Sequence, residues 1–341
     1  MIDYSQAKIQ RIIYNRINGN SVSDILTDTL YTYEGEEEED VKKIFLKPFA
    51  NHFETNEFKH AISIDLNPLY SISESVFKGK EFAENALHIH QHLKSVSKHP
   101  NIKEGDLFVI HYDNIRWDNG YHEALGIYKI ENKERFLETS INDNGEAAIT
   151  LKKGIGPKKL DKACLIINTE KPYTVFVIDN VSGETDYWRN DFIGAQPKKD
   201  FINDTNQFLS LTKAFVTEQM PNEFNVSKTE QIDLLNRSMD YFKSQDEFNM
   251  DDFSRDVIHH PEVIDAFNDY KKKFEIEKDI DIAESFEISV PAVKKQARVF
   301  KSVLKLDKNF HIYIHGDRQL IEQGVESDGR KYYKIYFNQE L

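Results

Sequence analysis

Lys294, Lys295, Arg298, Lys301 and Lys305 fall within Ile288–Leu306, a window that holds no acid. The chemistry open to such a cluster is electrostatic, because ammonium and guanidinium groups bind phosphate oxygens and displace counterions from a polyanion. The contrast with the preceding segment is large: Asp200–Glu287 holds 21 Asp/Glu against 9 Lys/Arg, a net of −12. Spacing predicts a helix over Ser289–Leu304, with Ser289 as its cap, Pro291 in its first turn, and neither Gly nor Pro before Leu306. Val293, Ala297, Phe300 and Leu304 repeat at i, i+4, i+7 and i+11 as an apolar stripe. Lys294, Arg298, Lys301 and Lys305 repeat one residue out of phase, as a cationic flank able to meet a polyanion. A solvated helix face without a partner satisfies the same pattern.

A second cluster comprises Lys152, Lys153, Lys158, Lys159 and Lys162 against Asp161 alone, around Gly154-Ile155-Gly156-Pro157. It lacks the Gly-Lys-Ser/Thr ending of a nucleotide-binding loop and precedes a strand, so it carries no nucleotide claim. A lysine-rich turn can touch phosphates without reading bases, and it can equally serve as a solubilising loop. Both clusters favour lysine, which suits point-charge contact more than bidentate reading of guanine.

Other reactive side chains carry less. His88 and His92 stand i, i+4 on one predicted helix with Glu84 a turn earlier, but no third metal ligand is evident. His111, His311 and His315 sit on predicted strands, where satisfied structural imidazoles are expected. Cys164 lies in the apolar run Ala163–Ile167 and reads as a buried strand residue. The lone cysteine excludes an internal disulfide and a Cys-based zinc site. No nucleophile elbow and no locally spaced carboxylate pair points to an enzyme or a cofactor.

The elements that position these groups follow from length and pattern. The 341 residues, 39% hydrophobic and 12% aromatic, suffice for more than one core. Net charge is −14 at pH 7, with a local acidic run at Glu34–Asp40. Met1–Asn20 lacks an apolar core, and no stretch approaches the roughly 20 apolar residues that span a bilayer, so a cytoplasmic protein without a membrane partner is expected. The fold class expected is α+β: an N-terminal antiparallel sheet with helices on one face (1–190), a mainly helical region (191–306) and a C-terminal β-hairpin (307–341). Strands are predicted at Lys8–Ile17, Asp106–Tyr112, His122–Ile130, Ala147–Leu151, Ala163–Asn168 and Thr174–Asp179. In the helical region, helices are predicted at 199–218, 227–244, 251–258, 262–274 and 289–304. The final hairpin is predicted to join Phe310–His315 to Tyr332–Phe337.

Four segments together resemble a known family. Asp191-Phe192-Ile193-Gly194-Ala195 looks like the D-F-[LI]-G-A element of bacterial nucleoid-associated proteins of the NdpA/YejK type. His99–Leu107, the stretch Gly154 to Lys162, and the ending His315-Gly316-Asp317-Arg318 with Tyr332-Tyr333-Lys334 resemble its Bacteroidetes branch. The resemblance implies a cytoplasmic, nucleoid-located, non-enzymatic protein that binds double-stranded DNA with little sequence preference and needs no cofactor. The alternative reading is an adaptor or regulator that offers its acidic helical region to a DNA-processing protein. A nuclease-like enzyme with scattered site residues is a third.

Overall fold

The computed structural model describes residues 2–18, 23–50, 52, 54–141, 145–157, 159–180, 187–297, 300, 303–306, 308–313 and 320–339. The chain divides into two compact units, Met1–Lys198 and Lys199–Leu341.

The first unit runs through β1 (Lys8–Ile17), α1 (Gly35–Leu46), β2 (Asn56–Phe58), α2 (Pro68–Phe77), α3 (Phe82–Val96), β3 (Gly105–Trp117) and β4 (Gly120–Ile130). It continues through β5 (Glu134–Ile141), β6 (Ala147–Gly154), β7 (Lys162–Ile167), β8 (Thr174–Asp179) and β9 (Ala195–Pro197). Seven strands pair antiparallel in the order β1-β3-β4-β7-β8-β2-β9. Asp118, at φ 54°, turns the chain from β3 into β4. Ile13, Val109, Leu125, Ile127, Cys164 and Val175 form one core with Leu69, Val76, Phe82 and Ile89 from α2 and α3.

Helices on one face only were expected, but α1 covers the other. Phe45 lies 5.2 Å from the ring of Phe108 and 4.6 Å from that of Tyr128. The signal was present in β7, where all six residues are buried. A strand apolar at consecutive positions must have both faces covered. Cys164 is fully buried, and that burial pushes its thiol well up.

The second unit begins with α4 (Phe201–Ala214), α5 (Met220–Glu223), α6 (Lys228–Ser244), β10 (Glu247–Asn249), α7 (Met250–Phe253), α8 (Pro261–Lys278), β11 (Ser285–Glu287) and α9 (Val290–Ala297). Phe208 sits among aromatic rings, with Phe248 at 4.2 Å, Phe253 at 5.0 Å and Phe242 at 5.7 Å. Ser227 and Glu230 form a capping box that starts α6.

The helix expected over Ser289–Leu304 is corrected. Its described part is Val290–Ala297, and Val303–Leu306 is a strand, β12, paired with β13 (Phe310–Tyr313). The apolar spacing fitted a helix, but a short apolar run also fits a strand, and pairing with a neighbour decides. Here the backbone of Val303–Leu306 pairs in register with Phe310–Tyr313. The pairing expected between Phe310–His315 and Tyr332–Phe337 is also replaced. β14 (Ile321–Val325) pairs with β15 (Lys331–Ile335), so these are two hairpins. Ile312, Ile321 and Tyr333 pack against Ile232 of α6.

Candidate nucleic-acid interface

Among the described residues β5 and β6 pair only with each other, in register from Glu134↔Gly154 to Ile141↔Ala147. Every residue of β5 is exposed, and so is every residue of β6 except Gly154, so the ribbon is a projecting arm. Alternation gives it two faces. One carries Leu137, Ile141, Ile149 and Leu151, each 60–77% exposed, and ends at Arg135 and Lys153. These two cations stand directly opposite each other. On the other face Lys152 reaches Glu138 at 2.5 Å, a diagonal cross-strand pair. Lys152 and Lys153 therefore lie on a strand and not in the flexible turn expected. The first strand of the arm and Arg135 were missed, although Asn144-Gly145 between two β-prone runs is a hairpin signal.

The other members of that lysine cluster separate. Lys159 is exposed and donates to the Asn180 carbonyl at 3.4 Å. Lys158 lies outside the described residues. Lys162 is fully buried, bonded to Asp179 at 2.7 Å, with its ammonium 5.1 Å from the ring centre of Tyr187. Lys129 is buried against the same tyrosine, donating to its hydroxyl at 3.1 Å and to Glu131 at 2.6 Å. A buried, paired ammonium is tied to the fold and removed from phosphate contact.

In α9, Ser289 takes the capping role expected of it: its Oγ accepts from the Ala292 N–H at 3.5 Å. Ala292 and Val293 are buried, Lys294 is exposed and Lys295 is half-buried. Phe300 is buried in the same core. Arg298 and Lys301 lie outside the described residues. Lys305 is on β12, so it cannot continue a helical flank begun by Lys294. Lys294 and Lys295 occupy the last turn, where cations also suit the helix dipole.

Several carboxylates of the acidic region have partners in their own unit. Lys271 meets Glu275 and Glu284, each at 2.9 Å, and Lys199 meets Asp281 at 2.9 Å. Arg255 meets Asp252 and Asp256, each at 2.8 Å.

The Asp191–Ala195 element is scaffold. Phe192 and Ile193 are buried, and Gly194 turns the chain at φ 62° into β9. A Cβ at Gly194 would come within 2.5 Å of Asn67 Nδ2. That amide donates to the carbonyls of Lys59, Ile193 and Gly194 at 3.0–3.1 Å, while Asn67 Oδ1 caps α2 through Tyr70 N–H. His92 stacks on Phe192 and shares a 2.8 Å hydrogen bond with its carbonyl, while His88 is exposed. The two do not act as a metal pair.

No helix among the described residues is long and apolar enough to cross a membrane. No curated protein matches the chain. The sequence profile of the family described as nucleoid-associated protein YejK matches residues 13–331, from β1 into β15. Since the match takes in both units and nearly the full length, the chain is a member of the nucleoid-associated protein YejK family.

Proposed function

We propose that this nucleoid-associated protein binds double-stranded DNA directly through its phosphates, with little sequence preference and without enzymatic activity. The observation that carries this reading is the opposition of Arg135 and Lys153 on an exposed β-arm. Like charges directly across a ladder repel, and an anion placed between them turns that repulsion into attraction. A two-stranded ribbon is also narrow enough for the major groove. Exposed Lys159 and Lys294 are further point charges.

The test is a titration of the full chain against random and defined duplexes over a range of salt. Three or four phosphate contacts correspond to a log–log slope of about −3 to −4. Arg135→Ala with Lys153→Ala is expected to weaken binding alike on all sequences and to flatten the slope by about two. Affinity independent of salt, or a double variant that binds as wild type does, rejects the reading.

The second reading, an adaptor for a DNA-processing protein, is supported by the apolar face of the same arm. Exposed apolar patches commonly meet proteins. If the chain binds no duplex at low salt, the adaptor reading takes its place.

A further inference from the structure

His111, Asp113 and Glu123 converge on the sheet face that α2 and α3 cover. The register pairs His111 with Leu125 and Tyr112 with Ala124, then resumes at Ile115 with His122. Asp113 and Asn114 thus oppose Glu123 alone, a β-bulge with Asn114 at φ 58°. Bulges re-aim side chains. His111 and Asp113 are two apart, and Glu123 is two from the partner of His111, so the three share a face. One ligand atom from each lies within 4.8 Å of the others.

The imidazole is what distinguishes this group from an ordinary surface cluster. The sequence pattern suggested a satisfied structural histidine, yet both ring nitrogens are buried and neither makes a hydrogen bond. The side chain is 11% exposed, and the Phe82 ring covers it at 6.1 Å. Glu123 Oε2 stands 3.9 Å from Nε2, beyond hydrogen-bond reach. Buried polar atoms in native folds are rarely left without a partner. The two carboxylates are half-exposed, so an ion can enter from solvent. Arg11, which faces His111 across β1, holds its guanidinium 5.9 Å from the centre of the Phe82 ring.

We propose that His111, Asp113 and Glu123 bind one divalent first-row transition-metal ion, Zn²⁺ or Mn²⁺. One imidazole and two carboxylates form a nitrogen–oxygen donor set of the kind these ions take. Metal–ligand bonds of about 2.0–2.2 Å put the donors of one ion roughly 3–3.5 Å apart. Closing from the present spacing requires about an ångström of side-chain rotation, which half-exposed carboxylates can make while the imidazole stays in place. Three protein ligands leave coordination positions for water or an added anion.

The test uses the full chain, stripped with a chelator, dialysed, and titrated calorimetrically with Zn²⁺ alone and Mn²⁺ alone, with Mg²⁺ as control. Saturation at one ion per chain is expected for at least one of the two transition metals, with Mg²⁺ at least tenfold weaker. The Asp113→Asn/Glu123→Gln variant changes only half-exposed groups and is expected to fold while losing tenfold or more in affinity. Sub-stoichiometric Mn²⁺ should also broaden the His111 imidazole resonances in the unaltered protein, a readout that needs no variant. Unchanged affinity and stoichiometry in the double variant, broadening confined to other histidines, or no saturable binding at millimolar metal overturns the proposal.

Discussion

At the scale of single residues, Gly194 and Asn67 hold the family element in place. Gly194 is held at φ 62°, and an added methyl would meet the Asn67 amide. Gly194→Ala is expected to cost about 1–3 kcal/mol from backbone strain and displacement of that amide. Asn67→Ala removes three amide donations and a helix cap and is expected to cost about 2–4 kcal/mol. Urea unfolding measures both, and a loss under about 0.5 kcal/mol in either would show the clamp to be dispensable.

His90 makes a second prediction at this scale. It is 4% exposed, with Asp24 Oδ2 at 3.3 Å and Lys94 and the Arg16 backbone nearby. Burial lowers its pKa, and the pull of Asp24 only partly opposes that. The folded pKa is therefore below the unfolded value. The stability this neutral imidazole contributes is present above about pH 6.5 and is lost as pH falls toward and through the folded pKa. Melting temperatures at pH 7.5 and 5.5 should fall farther apart for the wild type than for His90→Gln. Equal drops in the two would assign the acid sensitivity to other groups.

At the scale of elements, the β5–β6 arm and α9 make opposite demands on the fold. The arm buries almost nothing, so replacing residues 135–153 with a short turn is expected to leave the melting temperature within a few degrees while weakening duplex binding several-fold. A large fall in melting temperature would mean that the arm packs in solution. Lys294 of α9 is exposed, whereas Val293 of the same helix and Phe300 beyond it belong to the core. Phe300→Asp places an unpaired carboxylate there and is expected to cost at least about 3 kcal/mol, whereas Lys294→Ala should stay within about 0.5 kcal/mol. Denaturation midpoints of the two variants decide, and the reverse order would mean that the faces are assigned the wrong way round.

For the whole molecule, the net charge of −14 conceals local compensation. Glu275, Asp281 and Glu284 lie against Lys271 or Lys199. Changing Glu275, Glu277, Asp279, Asp281 and Glu284 to their amides would lower the negative field and release those lysines. DNA affinity is then expected to rise several-fold and not a thousandfold, since exposed pairs contribute only a fraction of a kcal/mol each. Parallel titrations at two salt concentrations measure this, and equal affinities at both would exclude any masking by the acidic segment.

Residue pattern by itself determined much of this protein. The strands at Lys8–Ile17, β7 and β8 were legible because each is a short run rich in β-branched and aromatic residues. The helix expected over 227–244 matches α6, and Ser227 and Glu230 form its capping box. Only tertiary structure decided the rest. Val303–Leu306 fitted a helix until Phe310–Tyr313 offered it a ladder. Lys162 looked like part of a solvent-facing cluster, but Asp179 and Tyr187 bury it. The three-residue strands β2 and β9 are too short to show a period and exist through pairing with each other and, for β2, with β8. His111, Asp113 and Glu123 meet because two strands pair with a bulge between them. Periodicity encodes which side chains share a face; which faces and edges meet depends on contacts between residues far apart in the chain.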